Sequence, residues 1–474
     1  MFTCFNGVTQ RPQYEIPGNL GVIRIKNSSI VINPSTGGWA ALSEDEIINL
    51  FSPYRNVGGE LFDDSYNAGL IKRNGSFIFE SNKLSHSPGK LYFFEFDLSS
   101  TCNLNCIYCS NNTNSGIVKE LDLDIGILWI DKIYEYAVSS ELPEVILEFT
   151  GGEPLINIDF INQICCYAFD KFKALKIVPE IHFATNLTVL GHKQIDFMKK
   201  FKPFVQVSLD GPKEIHDEHR SFYSGKGSYD TIVKNLDILK KEDIKIETIS
   251  SVITSKSVNY MPEIAQFILD LGYTRMTLQP MHCIGRASND LNLACNSDIY
   301  VNKLFETMSN VILPFWIRTK HQVYIRHLGI LFAYLLEPWR SYMCQRCPCG
   351  NSSSIISTDA KGDVYGCNQA PFNEDTVLGN IRQVNFLQCM ESANAKKILD
   401  RQIENIKECR TCIFRSYCQG GCPKTALTVH GTIEKPGDIC DLNRKLFAKG
   451  IEKLVEDAYP MDLIRVLADT FLKN

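Results

Sequence analysis

Between residues 91 and 281, short apolar runs alternate with longer stretches whose apolar positions recur every three or four residues. The runs are LYFFEFDL (91–98), VILEF (145–149), IHFA (181–184), FVQVSL (204–209), IETISSVI (246–253) and MTLQPM (276–281). The stretches between them include IGILWIDKIYEYAV, IDFINQICCYAFDKF, YDTIVKNLDILKKE and MPEIAQFILDLG. Short β-rich runs in alternation with amphipathic helical stretches predict parallel strands joined by right-handed crossovers. The fold class is therefore α/β over 91–285, either a doubly wound sheet or most of a barrel.

The unusual residues decide between the two. A cysteine triplet follows the first run, TGGEPL (150–155) the second, ATNLT (184–188) the third and SLDGPKEIHDEHR (208–220) the fourth. Each lies at the C-terminal end of a predicted strand, where a βα barrel collects its active site from successive strands. A doubly wound sheet would gather its site at one switch point. The reading is a partial (β/α)6 barrel.

The flanking segments follow other patterns. Residues 1–90 predict a small α+β domain. It has strands at LGVIRIK, SIVINP and WAAL, a helix opened by the capping-box-like Ser43-Glu44-Asp45-Glu46, and a hairpin turn at Asn74-Gly75. Residues 286–343 read as a helical bridge, 344–440 as a cysteine-rich domain, and 441–474 as two C-terminal helices whose apolar stripes have helical period.

Charge and composition narrow the partners. Lys and Arg total 49 against 54 Asp and Glu, a formal net charge of −5, so there is no basic field to hold nucleic acid. No run of apolar residues is long enough for a membrane span, and the first twenty residues lack a cationic segment followed by an apolar core. A cytoplasmic location is expected, with neither nucleic acid nor membrane as partner.

The 18 cysteines then need an explanation other than disulfides. Cys102, Cys106 and Cys109 form a C-x3-C-x2-C triplet. Nine more lie between 344 and 440, at Cys344, Cys347, Cys349, Cys367, Cys409, Cys412, Cys418, Cys422 and Cys440. Cys4, Cys165, Cys166, Cys283, Cys295 and Cys389 read as ordinary small thiols. A four-iron cube normally takes four thiolates, so three from one loop leave one iron open, and an open coordination position is where a metal centre does chemistry. Zinc with a distant fourth ligand is the alternative for the triplet, and a pair of zinc ribbons for the C-terminal set.

C-x3-C-x2-C with Tyr108 before the last cysteine, followed after the second strand by GGEP, resembles the signature of the radical SAM superfamily. That resemblance implies a [4Fe–4S] cluster on Cys102, Cys106 and Cys109 whose free iron binds S-adenosylmethionine, and a 5′-deoxyadenosyl radical formed on reduction. It further implies that Gly151, Gly152 and Glu153 hold the methionine amino group and that Tyr108 meets the adenine. Asn186, Ser208 and Asp210 would line the ribose and methionyl side, with Arg220 near a carboxylate. Where many relatives have TNG, this chain has Thr185-Asn186-Leu187.

Cys409-x2-Cys412-x5-Cys418-x3-Cys422 with Cys440, and upstream Cys349-x12-Gly362-x4-Cys367, resembles the SPASM domain of peptide and protein maturases. The resemblance implies two auxiliary [4Fe–4S] clusters. One would rest on Cys409, Cys412, Cys418 and Cys440; the other would rest on Cys349, Cys367, Cys422 and a fourth cysteine, with Cys347 preferred slightly over Cys344. VSLDGPKEIHDEHR and INPSTGGWAALSEDE are similar to enzymes that modify ribosomally made peptides, the His-Xaa-Ser-system maturases among them, and also to sulfatase maturases.

The expected activity is radical modification of a peptide by a crosslink, thioether, epimerisation or oxidation. The N-terminal domain would either cap the flank of the barrel or bind a leader peptide as an added strand, and flavodoxin or ferredoxin would serve as reductant. A sulfatase-type maturase, a small-molecule dehydrogenase with the same clusters, and a non-catalytic metal-cluster scaffold are the alternatives. Asp210, Glu148 and Gln279 are the candidates for acid–base work inside the barrel.

Overall fold

A computed structural model describes residues 9–11, 14–25, 28–51, 59–78, 90–111, 120–338, 342–368 and 375–472; Cys4 lies outside them. Six strands carry the central layer: β1 (Phe93–Asp97), β2 (Ile146–Thr150), β3 (Glu180–Thr185), β4 (Phe204–Ser208), β5 (Thr248–Ile253) and β6 (Arg275–Pro280). Every neighbouring pair is parallel, and the strands lie in sequence order without reversal. A doubly wound sheet requires a reversal, so the monotonic order is that of a partial barrel.

Alternation sorts the side chains of each strand. In β1, Phe94 and Phe96 point outward into the core: Phe96 stacks on Phe149 at 4.8 Å, and Phe94 on Phe386 at 5.6 Å. Trp129, from the helix Leu123–Ser140, meets Phe386 edge-on at 4.9 Å. That helix buries Ile125, Trp129, Ile133 and Ala137 at four-residue intervals, the stripe its sequence predicts. Each aromatic buried here contributes about 1.5–3 kcal/mol. The alternate residue, Glu95, is sent into the barrel lumen.

Two additions were not legible in the periodicity. On one side β7 (Tyr324–Ile325), within the expected helical bridge, pairs parallel with β6. On the other, β8 (Ile355–Thr358) from the cysteine-rich region pairs parallel with β1, with Ser357 opposite Glu95. The strands β9 (Asp363–Tyr365) and β10 (Val377–Asn380) continue outward antiparallel, giving a ten-stranded sheet. The cysteine-rich region is thus hydrogen-bonded to the first barrel strand.

The N-terminal strands lie at Gly21–Ile25, Ser28–Ile32 and Trp39–Leu42, followed by the helix Glu44–Phe51. Its capping box is made: Ser43 N–H donates to Glu46 Oε2 at 2.8 Å, and Glu46 N–H donates to Ser43 Oγ at 3.2 Å. Asn74 and Gly75 both have positive φ, 52° and 83°, between reciprocal Arg73–Ser76 backbone bonds, as a primed two-residue turn requires. This unit rests on the cysteine-rich region. Tyr417 donates its hydroxyl to Gly37 O at 2.6 Å, and Arg415 Nε donates to Pro34 O at 3.1 Å. Among the described residues, no helix is long and apolar enough to cross a membrane.

Candidate active site

The triplet loop leaves the end of β1 and is zipped to the loop after β2. Gly152 N–H donates to Ser99 O at 2.6 Å and Glu153 N–H to Thr101 O at 3.0 Å. This explains the glycine pair differently from the sequence. A Cβ on Gly152 would stand 1.8 Å from Thr101 O, and one on Gly151, whose φ is +115°, 2.6 Å from Ser99 O. The close approach that demands glycine is loop against loop.

Glu153 is buried, and its carboxylate accepts from Thr185 Oγ1 at 2.5 Å, Asn186 N–H at 2.7 Å and Leu155 N–H at 3.1 Å. Burial raises its pKa in spite of these bonds. Glu153, expected as a contact for the methionine ammonium, ties the loop after β2 to the end of β3.

Asn186 sits at the triplet. Its amide donates to Cys102 Sγ at 3.8 Å and to Asn103 Oδ1 at 3.0 Å, while its Oδ1 accepts from Thr188 N–H at 2.9 Å. The departure from TNG leaves the turn intact: Leu187 takes φ 53°, a left-handed conformation that costs a non-glycine residue about 1–2 kcal/mol. Complete burial of Leu187 and the bond from Asn235 Nδ2 to Leu187 O, 2.8 Å, hold it there.

Asp210 and Arg220 form the centre of a buried network. Arg220 Nε donates to Asp210 Oδ2 at 3.1 Å, the Tyr108 hydroxyl donates to the same oxygen, and Val252 N–H donates to Oδ1 at 3.0 Å. Burial alone would raise the Asp210 pKa; the charge of Arg220, with His216 and these bonds, overcomes it and holds the carboxyl below its ordinary range. Arg220 also reaches Cys106 Sγ at 4.0 Å and lies over the Tyr108 ring, 5.2 Å from its centre. His216 Nδ1 accepts from Asp210 N–H at 3.1 Å, and its Nε2 contacts Ser228 Oγ at 2.9 Å. Burial pushes the His216 pKa down to about 4, so the ring is neutral.

These residues brace the triplet loop. Asp210, expected as an acid–base candidate and a ligand contact, has its oxygens taken. Tyr108, expected at the adenine, is buried against Met281, Ala287 and Leu293 with its hydroxyl committed to Asp210. Ser208 ends β4 in register with Ser250. From the far side, Arg286 clasps the triplet loop through Asn105 Oδ1 at 2.6 Å, Cys106 O at 2.8 Å and Cys109 O at 2.8 Å.

Burial pushes the thiols of Cys102 and Cys106 up to about 12 and about 11; Glu153, Cys106 and Cys109 add to the rise at Cys102, and Cys109 and Asp210 at Cys106. Arg220 pulls Cys106 back down. Three mutually interacting thiols, two of them within reach of N–H donors, suit thiolate sulfurs on an electron-accepting cluster.

The C-terminal cysteines fall into two groups. Burial raises Cys409 to about 12, and Cys418, Cys440 and Cys412 are the next causes. Asn443 Nδ2 donates to Cys418 Sγ at 3.4 Å. In the second group, burial raises Cys367, with Glu95, Cys422, Cys349 and Cys344 adding to the rise. Cys347 stands apart: its thiol donates to Arg401 O at 3.3 Å, and it packs beside Ile403, Ile406 and Cys409. The thiol of Cys344, not that of the slightly preferred Cys347, interacts with Cys349, Cys367 and Cys422. Among the described residues no cysteine is in a disulfide.

Comparison with known proteins gives the domains in which these cysteines lie. Residues 97–276 match the radical SAM superfamily model, and residues 343–413 match the SPASM iron–sulfur cluster-binding domain. The chain carries a radical SAM domain followed by a SPASM domain.

Its relatives include a cysteine-type anaerobic sulfatase-maturating enzyme of Clostridium novyi, 26% identical over 75% of this chain and 94% of that protein. The radical SAM cyclopropyl synthase TigE of Paramaledivibacter caminithermalis is 24% identical over 86% of each. Among solved structures, anSMEcpe with bound AdoMet and the Cp18Cys peptide superposes with a TM-score of 0.65 at 19% identity, over 78% of this chain and 99% of that one. Streptococcus suis SuiB bound to its precursor peptide SuiA gives 0.52 at 15% identity, over 92% and 100%. The radical SAM domain binds a [4Fe–4S] cluster and S-adenosylmethionine, and the SPASM domain binds auxiliary iron–sulfur clusters.

Sequence reading missed Glu95, Asn368, His282 and Asp438, which the structure brings beside the expected Glu148 and Gln279. Glu95 lies opposite Glu148 in register, and Asn368 N–H donates to Glu95 Oε2 at 2.6 Å while its amide reaches Thr150 Oγ1 at 3.2 Å. Gln279 Nε2 is 2.8 Å from His282 Nε2, and His282 Nδ1 is 3.0 Å from Asp438 Oδ2, joining the end of β6 to the cysteine-rich region. The available signal was the shared offset of Glu95 in FFEFD and Glu148 in ILEFT, each two residues before its strand ends.

Proposed function

We propose that this enzyme matures a ribosomally made peptide, abstracting a hydrogen atom from one residue on the way to a crosslink, thioether, epimer or oxidised side chain. The observation that carries the reading is the placement of Cys102, Cys106 and Cys109 at the mouth of the barrel, beside Asn186 and Arg220. Cys349 and Cys367 of a second cysteine array flank β8, which pairs with β1. Cys102, Cys106 and Cys109 would hold the cluster that binds S-adenosylmethionine; Cys409, Cys412, Cys418 and Cys440 would hold one auxiliary cluster; Cys344, Cys349, Cys367 and Cys422 would hold the other. S-adenosylmethionine on such a cluster supplies a 5′-deoxyadenosyl radical after one-electron reduction.

The chain's own residues then have defined tasks. Arg220 and Asn186 direct N–H groups at the sulfurs of Cys106 and Cys102, and Asp210 fixes Arg220. The barrel excludes water around the reactive carbon. A peptide as substrate, in preference to a sulfatase, is supported by the extent of the likenesses. TigE and SuiB match 86% and 92% of this chain, against 75% and 78% for the sulfatase-maturating enzyme of C. novyi and anSMEcpe. The larger share accommodates the N-terminal unit, whose outer strands Gly21–Ile25 and Trp39–Leu42 offer an edge on which a leader peptide could add. A cytoplasmic flavodoxin or ferredoxin would supply the electron.

The test is anaerobic reconstitution with iron and sulfide, then reductant and S-adenosylmethionine, followed by mass spectrometry of a short peptide encoded beside the gene and coexpressed with the enzyme. 5′-Deoxyadenosine together with a mass change in the peptide supports the reading. Absence of 5′-deoxyadenosine returns the chain to a non-catalytic scaffold; 5′-deoxyadenosine with modification of a sulfatase alone favours the sulfatase-type alternative.

A further inference from the structure

Arg401 lies where the two C-terminal cysteine groups meet. It is 5% exposed, and its guanidinium donates four hydrogen bonds: Nε to Ile433 O at 2.8 Å, Nη1 to Gly421 O at 3.0 Å, and Nη2 to Lys435 O at 3.0 Å and Gly420 O at 3.3 Å. All four acceptors are backbone carbonyls, and among the described residues no carboxylate is a partner. Carbonyls satisfy the N–H groups but leave the charge without a counter-ion, and a buried cation in that state is costly. Arginine does not shed its charge to escape the cost.

The backbone it holds is the link between the groups. Gly420 and Gly421 stand between Cys418, of the first group, and Cys422, of the second. Gln419, Gly420 and Gly421 all have positive φ, 53°, 78° and 68°, and Gly421 N–H donates to Cys418 O at 3.2 Å, so the link is a tight turn. Four residues span about 14 Å even when fully extended, which caps the separation of Cys418 from Cys422. Gly437 N–H donates to Gly420 O at 3.0 Å and Cys440 N–H to Gly437 O at 3.2 Å, which ties the approach to Cys440 into the same turn. The charge of Arg401 acts on Cys409 in the first group and on Cys349 in the second.

We propose that Arg401 is the shared cation of the two auxiliary clusters, a positioning residue that fixes the Cys418–Cys422 turn between them and raises the reduction potential of both. The inference rests on the ligand sets assigned under the reading above. A four-iron cube on four thiolates is a net anion, and each added electron makes it more so. A permanent positive charge enclosed between two such anions, away from water, favours the reduced form of each. Net charge, hydrogen bonds to sulfur and exposure set the potential of a cluster, and Arg401 supplies the first of these to both at once.

The test is an anaerobic redox titration of the reconstituted full-length enzyme, followed by electron paramagnetic resonance. The cluster on Cys102, Cys106 and Cys109 is identified by the change in its signal when S-adenosylmethionine is added, and serves as the internal control. Arg401→Gln removes the charge. At the wild-type midpoints it should lower the ratio of reduced to oxidised form about tenfold for both auxiliary clusters, a downward shift of about 59 mV for a one-electron couple, and leave the control unmoved. Unmoved auxiliary midpoints, a shift in one of the two alone, or an equal shift in the control overturns the proposal. If Arg401→Gln fails to retain the irons of two cubes, about eight per chain, Arg401→Lys decides. It keeps the charge and should hold both clusters at wild-type midpoints; loss of their iron or a tenfold fall in the ratio overturns the proposal. Failure of the parent reading is distinct, since the wild-type enzyme itself would then lack auxiliary clusters.

Discussion

Arg220 and Asp210, ten residues apart, form an ion pair with Nε and Oδ2 separated by 3.1 Å, and the carboxylate is inaccessible to solvent. A buried pair is weak evidence of net stabilisation, yet breaking one strands the other charge. Arg220→Ala should therefore lower stability by about 3–5 kcal/mol, measured by anaerobic denaturant unfolding. Arg220→Ala with Asp210→Asn should recover a large part of that loss. Loss in the single variant no larger than for an exposed ion pair would remove the network from the account.

The cysteine grouping separates Cys344 from Cys347. Cys344→Ala should remove one auxiliary cluster, about four irons per chain, whereas Cys347→Ala should keep the iron content of wild type. Anaerobic iron and sulfide analysis distinguishes them, and the opposite ranking would restore Cys347 as the ligand.

The N-terminal unit is clamped to the segment between Cys412 and Cys418. The Tyr417 hydroxyl is buried on Gly37 O at 2.6 Å, so Tyr417→Phe leaves that carbonyl unpaired and should cost about 1–3 kcal/mol. Gly37→Ala should be at least as damaging. Gly37 has φ +80°, and an added Cβ would lie 2.7 Å from Pro338 Cβ. Faster proteolytic release of the N-terminal unit in both variants is the expected readout; wild-type protection would show that the clamp is dispensable.

Buried His216 makes stability depend on pH. Its pKa falls from 6.5 to about 4 on folding, so below 6.5 the unfolded chain binds a proton that the folded chain refuses. Stability is thus lost as pH falls from 6.5 toward 4, by on the order of 3 kcal/mol over the full window. Denaturant unfolding of wild type and His216→Gln at pH 7 and pH 5 should show the smaller pH effect in the variant. Equal slopes would mean that His216 does not titrate in this way.

Much of this architecture could be read from the chain, for reasons visible in particular residues. The apolar runs located β1 to β6 within one or two residues because each is closed by a glycine, polar or charged turn. Leu187 stands where many relatives have glycine, and only the structure shows that burial and Asn235 hold it in a left-handed backbone. The pairing of β8 with β1 joins residues more than two hundred positions apart, and no local pattern encodes it. The glycine pair of the second motif was correctly singled out, while its reason, contact with Ser99 and Thr101, needed three dimensions. Glu95 was hidden by its apolar neighbours, since a single acid in FFEFD reads as part of a buried strand until its partner across the sheet is known.

The most direct test of the central claim is the yield of 5′-deoxyadenosine from anaerobically reconstituted enzyme given S-adenosylmethionine and a low-potential reductant. The account predicts formation by the wild type and none by Cys106→Ala, which should also lack about four irons per chain. Undiminished 5′-deoxyadenosine from Cys106→Ala, or zinc in place of iron and sulfide in the wild type, would contradict it.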